Sequence, residues 1–200
     1  MAKIKICGLK RLEDIEIVNK YKPDYIGFVF AESKRKVSYG LAKQMRQNLD
    51  SSIQSVGVFV DADIDEILES YDLGIIDIAQ LHGNESEEYI EKLKQKSNYQ
   101  LKIINAIEMD SEKDLLEYDN SAADYLLLDS GKGSGKTFDW RLIRKDLKKE
   151  FFLAGGLNSQ NISQAIQEFN PYAVDLSSSV ETNGYKDELK IKKVMEAIND

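Results

Sequence analysis

Residues 126–140 read LLLDSGKGSGKTFDW, an apolar run that ends in an aspartate and opens into a glycine-rich loop. Two architectures compete for this stretch. In a P-loop protein the run is a strand, the loop is GxxxxGK[ST], and backbone N–H groups cradle a nucleotide's phosphates ahead of a helix. In a repeated βα architecture the run is a buried strand and the glycines only connect it onward. The P-loop pattern needs a glycine five residues before Gly135, where the chain has Ser130, and Gly131 comes one place late. The cradle is a residue short, which counts against the P-loop but leaves the choice to the rest of the chain, with Asp129, at the end of the run, to be placed in either case.

The rest of the chain repeats the same unit. Apolar runs occupy residues 3–7, 24–30, 56–60, 75–81, 101–107, 124–129, 151–154 and 172–176, starting about every 24 residues, as βα units do. Val, Ile, Leu and Phe fill them without polar alternation, the pattern of parallel strands buried on both faces. Helical spacing lies between them: Leu12, Ile15 and Val18 in residues 11–21; Ile64, Ile67 and Leu68 in 64–71; Ile162, Ala165, Ile166 and Phe169 in a helix opening near Asn158–Ser159. KPDYIGFVF, AADYLLLD and NPYAVDLSS resemble one another at the helix-to-strand turn. No linker or low-complexity segment interrupts the series. Eight such units predict a single (β/α)8 TIM barrel, of class α/β, spanning residues 1–200. A doubly wound open sheet is the alternative, and the absence of GxGxxG after the first run counts against it.

Composition narrows the function. Of 200 residues, 42% are hydrophobic and 31% charged, ordinary values for a globular domain. No run approaches the ~20 residues of a membrane span, and MAKIKICGLK lacks the long apolar core of a signal peptide. A single cysteine, Cys7, permits no internal disulfide and fits the reducing cytoplasm. A net charge of −8 without a basic block disfavours nucleic acid as a partner. One histidine, His82, rules out a multi-histidine metal site.

The polar residues then fall into place at the C-terminal ends of the strands, the face of a barrel that holds active sites. Cys7 ends the first run, Gln80 and His82 close the fourth, Asp129 ends the sixth, Gly155-Gly156 follow the seventh and Ser177-Ser178-Ser179 follow the eighth. A lone cysteine is commonly a small buried hydrophobe, yet beside Gly8 its thiolate would face the mouth. Asp129 either caps a loop or, with a proton held by burial or a nearby anion, serves as a general acid. His82 reads first as a neutral structural donor. Arg35 belongs to a basic surface run or pairs with a carboxylate. Gly155 and Gly156 let backbone approach a ligand, and Ser177 and Ser178 add donors beside them, the usual phosphate site after strands seven and eight. Local dipoles of this kind hold a phosphorylated small molecule inside an acidic protein.

Together the segments KICGL, DYIGFVF, SKR, VGVFV, QLHG, GSGKTFDW, AGGL and AVDLSSSVE, in that order across nearly the whole chain, resemble the phosphoribosylanthranilate isomerases of tryptophan biosynthesis. The resemblance implies an Amadori rearrangement of N-(5-phosphoribosyl)anthranilate to 1-(2-carboxyphenylamino)-1-deoxyribulose 5-phosphate. It implies Cys7 as general base and Asp129 as general acid. It further implies Arg35 on the anthranilate carboxylate, Gln80 and His82 lining the substrate, and Gly155, Gly156, Ser177 and Ser178 on the phosphate. The substrate's own nitrogen is the electron sink, so neither metal nor organic cofactor is implied, and a monomer or homodimer is expected. The chain departs from the family pattern at Ser179, where glycine is usual, and around Arg35, where prolines are missing and Tyr39 replaces one. A histidine-pathway isomerase would need aspartates after strands one and five, where Cys7 and the apolar INAI segment stand. A phosphate-binding barrel without turnover is the non-enzymatic alternative.

Overall fold

A computed structural model describes residues 2–109, 115–129, 142–143 and 146–199. The glycine loop of the opening stretch, with Ser130, Gly131, Gly135, Lys136, Thr137, Phe138 and Trp140, lies outside the described residues.

Eight parallel strands close into a barrel in sequence order. They are β1 (Lys3–Cys7), β2 (Tyr25–Val29), β3 (Gln54–Phe59), β4 (Ile78–Leu81), β5 (Lys102–Glu108), β6 (Tyr125–Asp129), β7 (Phe151–Leu153) and β8 (Ala173–Leu176). Closure is made by β1 against β8, with Ile4 opposite Val174 and Ile6 opposite Leu176. Around it lie α1 (Leu12–Tyr21), α2 (Tyr39–Gln47), α3 (Ile64–Asp72), α4 (Glu87–Lys96), α5 (Ile162–Phe169) and α6 (Glu188–Asn199). After β5 the described chain makes a short 3-10 helix, Leu115–Asn120, in place of an α-helix. A two-stranded hairpin, β9 (Glu181–Thr182) with β10 (Tyr185–Lys186), follows β8.

The absence of polar alternation in the strands follows from a core in two layers. Tyr25, Val56, Ile78, Ile104, Leu127, Phe152 and Ala173 fill the barrel interior, while their strand neighbours Ile26, Phe28, Phe59, Leu81, Ile103, Leu126, Leu128, Leu153 and Val174 pack outward with the helices. Strand β1 differs: Ile4 and Ile6 face outward, which by the two-residue period turns Lys3, Lys5 and Cys7 inward.

The similar turns KPD and NPY share one physical cause. Helix α1 ends at Lys22 and α5 at Asn170, both left-handed (φ 49° and 45°), and each is followed by a proline that cannot continue the helix. One expectation is corrected. Helix α5 starts at Ile162, four residues late, because the Asn158 and Asn161 side chains bond the backbone of residues 156–160 and hold them in a turn. Leu12, Ile15 and Val18 all lie in α1 as their spacing requires, with Leu12 exposed at its first turn. Among the described residues, no helix is long and apolar enough to cross a membrane.

Candidate active site

At the C-terminal mouth a cavity of about 690 Å³ is lined by Cys7, Arg35, Gln80, His82, Asp129 and Asp175 together with the loops after β7 and β8. All the residues picked from strand ends in the sequence border this one space.

Cys7 lies in register with Gly27 of β2. A Cβ at Gly27 would stand 2.6 Å from Cys7 Sγ, so the glycine is what lets the thiol sit there. Burial pushes the Cys7 thiol up; Lys5 and Lys186 pull against that, and Asp175 adds to it. Lys5 is fully buried, donating from Nζ to Asp175 Oδ2 and to Gln80 Oε1, each at 2.8 Å. Burial opposes its charge, but Asp175 and Cys7 outweigh it and raise the ammonium above its ordinary value. Burial likewise pushes the Asp175 carboxyl up, against the pull of Lys5.

From Lys5 the contacts run on to Asp129 and fix a tautomer. An ammonium only donates, so Gln80 must turn its oxygen to Lys5 and its NH2 to His82 Nδ1, 2.9 Å away. Nδ1 is then an acceptor and Nε2 carries the proton, pointing at Asp129 Oδ2 at 3.6 Å. The side chain of Gln80 is spent on this alignment, and His82 presents the donor.

Arg35 is held along its stem and at its head. Its stem lies over Gly8, where a Cβ would come within 2.5 Å of Cδ and where φ is +86°. Its Nε and Nη2 donate to the two Glu181 oxygens at 2.7 and 3.0 Å. Lys186 of β10, buried, donates to the same carboxylate at 2.8 Å and to the Ser177 carbonyl at 3.2 Å. Burial opposes the Glu181 charge, yet Arg35 and Lys186 hold its carboxyl down to about 2. Burial lowers Lys186 in turn, with Glu181 opposing. The trio keeps one net positive charge, and among the described residues nothing bonds the second fork of the guanidinium, Nη1 with the remaining hydrogen of Nη2, which suits another anion.

In the loop after β7 Gly155 and Gly156 both adopt left-handed φ, 81° and 65°. The Ser177 hydroxyl donates to the Cys7 carbonyl at 3.0 Å, tying the serine loop to the thiol's own backbone. The Ser179 hydroxyl is buried with no hydrogen-bond partner in the described structure. The late start of α5 puts the Asn158–Asn161 turn between its N-terminus and the glycines. No group of three His, Cys, Asp or Glu suited to a metal ion occurs among the described residues.

Sequence reasoning missed Lys5, Asp175, Glu181, Lys186 and the role of Gly27. Lys5 could have been found from its two-residue spacing to Cys7 and Asp175 as a charge inside an apolar run; Glu181 and Lys186 carry no local signal.

The family model described as N-(5'phosphoribosyl)anthranilate (PRA) isomerase matches residues 4–197. The N-(5'-phosphoribosyl)anthranilate isomerase of Clostridium acetobutylicum is 47% identical over 201 residues, 96% of each chain. The crystal structure of the Thermotoga maritima phosphoribosyl anthranilate isomerase superposes with a TM-score of 0.89 at 34% identity, covering 100% of this chain and 99% of that one. A phosphoribosyl anthranilate isomerase solved with reduced 1-(o-carboxyphenylamino)-1-deoxyribulose 5-phosphate superposes at 0.87 and 33% identity, with 100% and 99% coverage. With a family match running almost end to end, and a relative of nearly half-identical sequence, the chain belongs to the N-(5'-phosphoribosyl)anthranilate isomerase family.

Proposed function

We propose that this isomerase converts N-(5'-phosphoribosyl)anthranilate to 1-(2-carboxyphenylamino)-1-deoxyribulose 5-phosphate, with Asp129 as general acid and Cys7 as general base. The observation that supports it best is one cavity lined by the Asp129 carboxyl, the Cys7 thiol, the Arg35 guanidinium and the loops after β7 and β8. The guanidinium fork left over by Glu181 suits the anthranilate carboxylate, and the left-handed glycines with the serine loop suit the phosphate.

Held at both ends, the substrate places its sugar between β1 and β6. Asp129 gives a proton to the ring oxygen while the nitrogen lone pair forms the C1=N bond and the C1–O bond breaks. The Cys7 thiolate takes the proton from C2, and that electron pair forms C1=C2 as the C=N electrons return to nitrogen. C1 then gains a proton and the C2 hydroxyl loses one, leaving the ketone. General acid and general base each supply roughly 10²–10⁴-fold, and fixing both ends adds further through orientation. His82, donating from Nε2, is placed to bond the sugar or the Asp129 carboxylate once ionised.

The test is turnover of substrate generated in situ, followed by loss of its fluorescence, in wild type and Arg35→Lys. Wild type turns over, and the lysine variant, a single-point donor, has KM raised about tenfold or more with kcat less affected. A chain that binds the product analogue without turnover would favour the non-catalytic barrel instead.

A further inference from the structure

We propose that the buried ion pair Lys5–Asp175 sets whether Cys7 rests as thiol or thiolate, making Lys5 a positioning residue for the base. This rests on Cys7 being that base, but it is testable apart from it. The interior offers a direct comparison. At the level of Tyr25, Val56, Ile78, Ile104, Leu127, Phe152 and Ala173 strands β2 to β8 fill it with mostly apolar side chains, whereas one level up Lys5 of β1 meets Gln80 of β4 and Asp175 of β8. Packing alone needs no ammonium there, and an apolar side chain would fill the volume without desolvating a charge.

The donors of Lys5 show what the charge is for. One goes to Asp175 and one to Gln80, and the Cys7 thiol lies two residues along the same inward face, where the ammonium's charge acts on it. Asp175 is not fully consumed either, since its Oδ1 is buried and unpartnered. The ammonium therefore stands between two groups that compete for it, a carboxylate on β8 and a thiol on β1. Strengthening its hold on one weakens its hold on the other. The other charged groups facing Cys7 are Lys186 from β10 and Arg35 from the loop after β2, the latter neutralised by Glu181. Asp129 and His82 act on Asp175.

This arrangement gives variants of opposite sign. Removing Asp175's charge leaves the ammonium to the thiol, and removing Lys5 leaves the thiol with burial and a carboxylate. Because Cys7 is the single cysteine of the chain, iodoacetamide alkylation reports on it alone, and the pH midpoint of the reaction, not its absolute rate, is the readout. Asp175→Asn should lower the midpoint and Lys5→Met should raise it, each on the order of one unit, or ~10-fold in rate below the midpoint. The electroneutral Lys5→Met/Asp175→Asn double variant should keep the fold and still lie above wild type, since Lys5 acts on the thiol more strongly than Asp175 opposes it; it stands in if Lys5→Met does not fold. Midpoints at the wild-type value, or moving the same way in Lys5→Met and Asp175→Asn, overturn the proposal. No substrate enters the measurement, so opposite shifts alongside full isomerase activity in Cys7→Ser would leave the pair standing and remove only the base assignment.

Discussion

Glu181→Gln tests how the mouth of the barrel holds Arg35. Glu181 is 7% exposed at its side chain and accepts from Arg35 Nε and Nη2 and from Lys186 Nζ, all within 3.0 Å. Glutamine keeps the shape but turns an NH2 toward donors and leaves two buried cations without an anion. Breaking a buried pair in this way costs about 3–5 kcal/mol. Titration gives a second route to the size. A carboxyl moved from 4.5 to about 2, at about 1.4 kcal/mol per unit, contributes roughly 3 kcal/mol. We therefore expect a loss near 3 kcal/mol at neutral pH, a fall in Tm of roughly 6–12 °C for a domain of this size. Its sign with pH follows from the depressed value: the contribution is complete above pH 4.5 and is lost as pH falls toward 2. Urea unfolding of wild type and variant from pH 7 downward should show a gap that is constant to about pH 5 and then narrows. A gap that stays constant at the most acid pH where wild type is folded, or one below about 1 kcal/mol at pH 7, would show that the Glu181 charge does not hold Arg35 and Lys186.

Other perturbations separate packing from chemistry. Gly27→Ala places a Cβ 2.6 Å from Cys7 Sγ and 3.1 Å from its Cα, which as backbone cannot yield; unfolding should show about 1–3 kcal/mol lost, and turnover should fall ~10²-fold as the thiol shifts. Gly40→Ala in α2, where a Cβ meets nothing within 4 Å, is the control: stability equal or slightly higher, kinetics unchanged. At the opposite end of the barrel, the Tyr172 hydroxyl accepts from Lys3 at 2.7 Å and lies 3.0 Å from the Tyr25 hydroxyl. Tyr172→Phe should cost about 1–3 kcal/mol in calorimetry and leave kcat and KM unchanged, because that face carries stability rather than catalysis.

The barrel was legible because its strands are buried on both faces and so stand out as unbroken apolar runs, and because two helices end in the same left-handed residue plus proline. Cys7, His82, Asp129 and the glycine pair were legible for a related reason: each is the first polar or glycine position where an apolar run stops. What was not legible depends on closure. Lys5 meets Asp175 and Arg35 meets Glu181 across sequence separations of 170 and 146 residues, contacts that exist only once β1 has paired with β8. The start of α5 was misplaced for a local reason, since NSQN reads as a helix opening until its asparagines bond their own backbone. Gly27, mid-strand in DYIGFVF, was not legible, because its reason is a sulfur atom on the neighbouring strand.

If Cys7 and Asp129 are the proton acceptor and donor of one isomerisation, single-turnover conversion of N-(5'-phosphoribosyl)anthranilate will separate wild type from Cys7→Ser and Asp129→Asn, with the fold of each checked by circular dichroism. The expected rate falls by at least ~10²-fold in each variant, with native spectra and with the product analogue still bound. Near-wild-type conversion by either folded variant would contradict these roles.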